Sequence, residues 1–154
     1  MWFDDVKQTR FLWLPSIYAD RDEFVSLNTS PFEFTGPESL TGKILAGVAG
    51  YYYFGVNEAI DRRLVSRIDT IGERQVLELI TLGRADFGIV SKSVFTYLNS
   101  IDDLPDVFHL SEQPHDVFLR RAFTLHQHLE TYKVMLPLLE SLYDDPTWQA
   151  IPAN

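Results

Sequence analysis

The residues best suited to holding a small molecule in this 154-residue chain sit in two short turns, Gly50-Tyr51-Tyr52 and Ser91-Lys92-Ser93. Each follows a short apolar run and precedes a helical pattern. Each would therefore set backbone N–H groups at a helix amino terminus, beyond the carboxyl end of a strand. His126-Gln127-His128 places two imidazoles on opposite faces of a helix, and on one face only if extended. His109 and His115 are scattered and there is no cysteine, so no tetrahedral metal set assembles and surface histidines are expected. Glu38, Glu58, Asp61 and Glu73 could pair for acid–base work, but three of them fall at helix starts or on polar faces, where a carboxylate complements the dipole. Arg120-Arg121 is an isolated basic pair on an acidic chain, expected to be solvated or salt-bridged. No Gly-x-Ser-x-Gly, phosphate-loop or dinucleotide glycine pattern is present. The expectation is a protein that is not an enzyme, with no cofactor and no bound metal.

The elements that must position the two turns run from Leu40 to Leu98. Lys43–Val48 is a short apolar run of strand type, and Ala49-Gly50 closes it. Phe54–Leu64 carries Val56, Ala59, Ile60 and Leu64 at helical spacing. Arg67–Thr70 is a second strand, Glu73–Leu82 a helix ended by Gly83, Ala85–Val90 a third strand, and Ser93–Leu98 the start of another helix. Strands that alternate with helices and lack hairpin turns imply right-handed crossovers and a mainly parallel sheet, an α/β fold. Ahead of this region, Phe24–Leu27 reads as a strand, Asp20–Glu23 as a charged surface loop, and residues 1–23 as the least regular part. Asn28–Pro37 is rich in turn formers and reads as a connection. Beyond it, Asn99–Pro105 is an acidic exit, and Val107–Leu110 and Val117–Thr124 are strand candidates. Glu130–Tyr143 is a last helix with Leu129, Tyr132, Leu136, Leu139 and Tyr143 as its apolar stripe. Pro137 should kink or break it.

Composition narrows the partners. A net charge of −9 and a pI near 4.7 argue against nucleic acid and anionic membrane surfaces, which reward basic patches. No apolar run approaches the roughly 20 residues of a membrane-spanning helix, so no membrane insertion is expected. Met1–Asp5 has neither a basic flank nor an apolar stretch of signal-peptide length, so no export signal is expected in this chain. Hydrophobic content of 45% is enough for a real core.

Leu40-Thr41-Gly42-Lys43, Val48-Ala49-Gly50-Tyr51 and Leu79–Val90, with its Gly83-Arg84-Ala85-Asp86-Phe87-Gly88 centre, together resemble the second lobe of bacterial extracellular solute-binding proteins of family 3. Tyr132–Trp148 is similar to the carboxyl-terminal helix of that family, and Arg10–Leu27 to the segment leading into its first hinge strand. The resemblance implies a type II periplasmic binding protein-like fold with a complete second lobe and a partial first lobe, truncated at the amino terminus. Residues 1–27 would supply the partial first lobe and first hinge strand, 28–106 the second α/β lobe, and 107–154 the second hinge strand and returning helix. It also implies an amino-acid-type ABC-transporter receptor in the periplasm, binding a small molecule. By resemblance, Gly50, Tyr51 and Tyr52 match the turn that takes the ligand carboxylate, and tyrosines there can donate hydrogen bonds and stack on a ring. Ser91 stands where the family carries an aspartate for the ligand's α-amino group, so α-amino-acid recognition is in doubt. Lys92, if it faced the cleft, would favour an anion. Arg10, or Lys7, matches the first-lobe arginine that grips a carboxylate, and Asp86 is expected to be structural. A half lobe leaves sheet edges and apolar faces open, which leads to the expectation of a homodimer. The alternative is a homo-oligomeric scaffold that binds no ligand.

Overall fold

The computed structural model describes residues 9–102 and 106–150. The chain divides into two compact units, Arg21–Val117 and Met1–Asp20 with Phe118–Asn154. In the first of these, strand order is β3-β2-β4-β1-β5, with β1 Phe11–Leu27, β2 Ile44–Val48, β3 Ser66–Thr70, β4 Phe87–Ser91 and β5 Phe108–Leu110. The three strands β2, β3 and β4 are mutually parallel, with Ala46 opposite both Ile68 and Gly88. β1 runs antiparallel to β4 and to β5, so the sheet is mixed, with a parallel centre.

Period-two side chains load both faces of this sheet. Phe24, Leu45, Phe87 and Ile89 pack on one face with Val56 and Ala59 of α1 (Val56–Asp61) and with Phe32 and Tyr53. Val25, Ala46, Val48 and Val90 pack on the other with Val76, Leu77 and Ile80 of α2 (Glu73–Thr81) and Leu98 of α3 (Lys92–Asp102). Helix α2 lies directly on the sheet at Gly88, where a Cβ would fall well inside contact distance of Val76 Cγ1. Two crossovers therefore bring three strand ends, Val48, Thr70 and Ser91, to one edge.

The other unit holds the early part of β1, most of β6 (Asp116–Leu125), which pairs with β1, α4 (Leu129–Ser141) and the short α5 (Pro146–Gln149). Phe11, Trp13 and Phe123 form an aromatic cluster with ring centroids 4.8 Å (Phe11–Phe123) and 5.0 Å (Trp13–Phe123) apart. Asp145 caps α5, its Oδ1 accepting from Thr147 N at 2.7 Å and Trp148 N at 3.2 Å. Tyr143 donates its hydroxyl to Ser16 O at 2.6 Å.

Several sequence expectations need correction. Residues Phe11–Glu23 are strand, and the expected surface loop Asp20–Glu23 buries three carboxylates, Asp20, Asp22 and Glu23. Pairing makes this tolerable: Arg120 donates through Nε and Nη2 to Asp20 Oδ2 at 2.9 and 2.6 Å, and Arg21 Nε lies 2.6 Å from Glu23 Oε1. Asn99–Asp102 continues helix α3, while 103–105 lie outside the described residues. Helix α4 runs unbroken through Pro137, because proline forfeits one backbone bond without forbidding the helix; it fully buries no residue.

Candidate functional site

The site is built on the common edge where β2, β3 and β4 end. After Val48 the chain turns through Gly50, whose φ of +78° lies in the left-handed region open to glycine. The turn is tied down on every side. Ala49 N donates to Thr70 O at 2.9 Å and Tyr51 N to Val48 O at 3.1 Å. From β3, Arg67 donates to Val48 O at 2.7 Å, Tyr51 O at 3.1 Å and Asp69 Oδ1 at 2.7 Å, with its guanidinium 5.2 Å from the Tyr53 ring. Tyr53 is buried, and its hydroxyl accepts from Val48 N at 3.0 Å. Burial pushes that phenol up to about 12; the Val48 N–H and Arg67 oppose the rise, while the charges of Asp22 and Glu73 add to it. Gly47 leaves room for this arrangement, since a Cβ there would stand 3.0 Å from the Tyr53 ring and 3.2 Å from Arg67 Nε.

Across the edge, Ser91 is buried and donates its hydroxyl to Glu73 Oε1 at 2.9 Å. Glu73 opens α2, which follows β3, and Ser91 closes β4. Since β2 lies between those strands, this hydrogen bond spans the carboxyl end of β2, beside the Gly50 turn. Asp22 stands opposite Ser91 in the β1–β4 register, so their side chains share a face. Thr70 Oγ1 lies 3.2 Å from both Gly47 O and Gly72 O. The exposed rings are Tyr51 (53% exposed), Tyr52 (45%) and Phe54 (59%), and Ile71, at the end of β3, is 88% exposed. Tyr52 packs edge-on to Phe54 at 5.1 Å and donates its hydroxyl to Glu58 Oε1 at 2.8 Å. That bond raises the Tyr52 phenol above its usual range, and Glu58 is lowered, chiefly by its own backbone N–H and then by Tyr52.

Of the residues singled out from sequence, Gly50, Tyr51 and Ser91 come together at this edge, and Tyr52 leans from the same turn onto α1. Arg10 belongs to the other unit, its guanidinium 5.7 Å from the Phe11 ring. Lys7 lies outside the described residues. Lys92 opens α3 directly after Ser91, its ammonium 5.7 Å from the Phe95 ring. Asp86 is structural, its Oδ2 accepting from Ile44 N at 2.7 Å. Among the histidines, His126 Nε2 lies 3.0 Å from Thr9 O, His115 Nε2 3.0 Å from Phe54 O and His109 Nε2 2.6 Å from Glu33 Oε1. Glu73, expected from sequence only as a helix-start carboxylate, is the hydrogen-bond partner of Ser91. Its position on α2 is visible in the sequence, but only the strand order 3-2-4 carries its carboxylate across to Ser91.

The fold recurs in solved structures. The chain superposes on holo ArgBP from T. maritima with a TM-score of 0.71 at 13% identity, over 97% of this chain and 64% of that one. It superposes on the GluR0 ligand-binding core from Nostoc punctiforme, in complex with L-glutamate, with a TM-score of 0.74 at 13% identity, over 96% of this chain and 66% of that one. The fold is that of the type II periplasmic binding proteins. An arginine 3rd transport system periplasmic binding protein from Legionella pneumophila gives a TM-score of 0.71 at 12% identity, over 97% of this chain and 67% of that one. The chain thus spans about two thirds of the length of these periplasmic binding protein structures, and less than that of ArgBP. No family model and no curated protein sequence matches it. Among the described residues no helix is long and apolar enough to cross a membrane.

Proposed function

We propose that the protein is a non-enzymatic small-molecule binding module of the solute-binding type, acting in the periplasm as a transporter receptor. Its ligand contacts in the Arg21–Val117 unit are Gly50, Tyr51, Tyr52 and Ser91. The observation that carries this is the Ser91–Glu73 hydrogen bond laid over the end of β2, beside a left-handed glycine turn that bears exposed tyrosines. Polar groups and rings are thereby brought to the carboxyl ends of parallel strands, where open α/β sheets receive ligands. A thermal-shift screen against amino acids, amines, sugars and small carboxylates tests it. A ligand at one hundred times its dissociation constant stabilises the folded state by about 2.7 kcal/mol. A dose-dependent rise abolished by Tyr51→Ala supports the assignment, and a flat screen refutes it.

A second reading, a homo-oligomeric scaffold, is favoured by one specific observation. On β6, Val117, Leu119, Phe123 and Leu125 alternate onto one face, interrupted by Arg121, and all are exposed, Val117 to 67%. An apolar sheet face of that kind invites a second copy of the chain. Light scattering that shows only monomer at micromolar concentration would remove this reading.

A further inference from the structure

The strand-end turn is held at both ends, from two different parts of the chain. Its entry is fixed from within, by Arg67 on Val48 O and Tyr51 O and by the Tyr53 hydroxyl on Val48 N. Its exit is fixed from a segment sixty-one residues further on, where His115 Nε2 lies 3.0 Å from Phe54 O. A carbonyl oxygen only accepts, so Nε2 carries the proton and donates it. Phe54 stands just before Gly55, whose φ of +77° precedes α1. The bond therefore closes on the last residue of the turn before the chain enters the helix.

Two aromatic neighbours set the plane of the imidazole. It meets the Phe24 ring edge-on at 5.5 Å and the Tyr53 ring edge-on at 5.7 Å, with interplanar angles of 83° and 89°. Nδ1 is buried and has no hydrogen-bond partner among the described residues. A phenylalanine would fill the same aromatic slot without burying that nitrogen. What the imidazole adds to the slot is its bond to Phe54 O. The backbone of the same residue is anchored to β1, His115 N donating to Asp22 O at 2.8 Å, and Asp22 stands opposite Ser91 in the β1–β4 register. One residue thus ties the turn to the strand that lies beside Ser91.

We propose that His115 is a positioning residue for the strand-end site: its Nε2–H holds the exit of the tyrosine turn, and so fixes where Tyr51 and Tyr52 stand relative to Ser91. The purpose of that hold rests on the binding-module reading. The hold itself rests on the Phe54 bond and is tested without a ligand.

The test is amide hydrogen exchange of the full chain, followed by mass spectrometry, in the parent and in two variants. His115→Phe keeps an aromatic ring in the slot and removes the donor. His115→Gln loses the ring and keeps an N–H at the reach of Nε2. In His115→Phe the segment 51–58, which includes the Val56 and Asn57 amides bonded to Tyr53 O, should exchange about fivefold faster or more, while β4 keeps the parent rate. His115→Gln should bring that segment back toward the parent rate. A residue that served only overall stability would speed the turn and β4 alike, and that pattern would overturn the proposal. Unchanged exchange in a folded His115→Phe, or His115→Gln as fast as His115→Phe, would overturn it too. The expected exchange pattern alongside a flat thermal-shift screen would uphold the role of His115 in the turn and refute the binding reading alone.

Discussion

Gly88 is where helix and sheet meet most closely, and replacing it offers the sharpest test of the packing. Its φ is not in the left-handed region, so Ala is tolerated by the backbone and the cost is steric. The new Cβ would press on Val76 Cγ1, stand 3.0 Å from Ile80 Cδ1 and 3.2 Å from Ala46 O. Overpacking of this kind costs about 1–3 kcal/mol, and replacing a strand glycine returns about 0.5–1 kcal/mol of backbone entropy. Gly88→Ala should therefore destabilise by about 1–2 kcal/mol net. Val76 is fully buried, and Val76→Ala should cost about 2 kcal/mol from lost transfer free energy and cavity. The double variant removes the atom that the new Cβ strikes, so its cost should fall below the sum of the singles by about 1 kcal/mol or more. Urea unfolding followed by circular dichroism reads all three. Gly88→Ala within about 0.5 kcal/mol of the parent, or strict additivity in the double variant, would refute the contact.

Other outcomes follow from the same packing. Arg120→Met should destabilise by about 2 kcal/mol by removing the guanidinium paired with the buried Asp20 carboxylate, and adding Asp20→Asn should restore most of the loss; a neutral Arg120→Met in chemical denaturation would refute this. Glu33 is held below the usual carboxylate range, first by the Glu112 N–H and also by Ser111 and His109. Its contribution is thus present above its unfolded pKa and lost as pH falls through the lower folded value, so Glu33→Gln should flatten the acid limb of a stability-versus-pH curve. Tyr53, with its phenol raised to about 12, contributes stability that is intact below the unfolded value of about 10 and declines as pH rises from there. Ultraviolet titration should show one of the seven tyrosines ionising only near that upper value or on unfolding, and Tyr53→Phe should delete that step while costing about 1 kcal/mol at neutral pH.

The helical and strand periods between Lys43 and Leu98 were legible because each element loads one face with branched or aromatic side chains, and the observed strands Ile44–Val48, Ser66–Thr70 and Phe87–Ser91 fall within a residue or two of expectation. The long first strand was not, because Asp20-Arg21-Asp22-Glu23 has the composition of a surface loop. The partners that make this burial tolerable are not visible in that composition: Arg120, a hundred residues away, pairs with Asp20, and the strand geometry sets Arg21 beside Glu23. The turn at Gly50 was legible after its apolar run, but the turn expected at Ser91-Lys92-Ser93 is absent, since Ser91 ends β4 and Lys92 opens α3 directly. The buried role of Tyr53, next to two exposed tyrosines, depends on Arg67 sixteen residues downstream of Tyr51.

The clamp formed by Gly47, Tyr53 and Arg67 separates the shape of the turn from its chemistry. Arg67 grips the main chain of residues 48 and 51, and Tyr53 grips Val48 N, so the path of the turn up to Tyr51 is held by groups other than the Tyr51 side chain, while Tyr52 is tied to Glu58. Position 51 can therefore change by mutation without removing the bonds that hold the frame. A site built this way is evolvable: descendants of one scaffold can trade one ligand for another by single substitutions in a turn whose geometry is inherited intact.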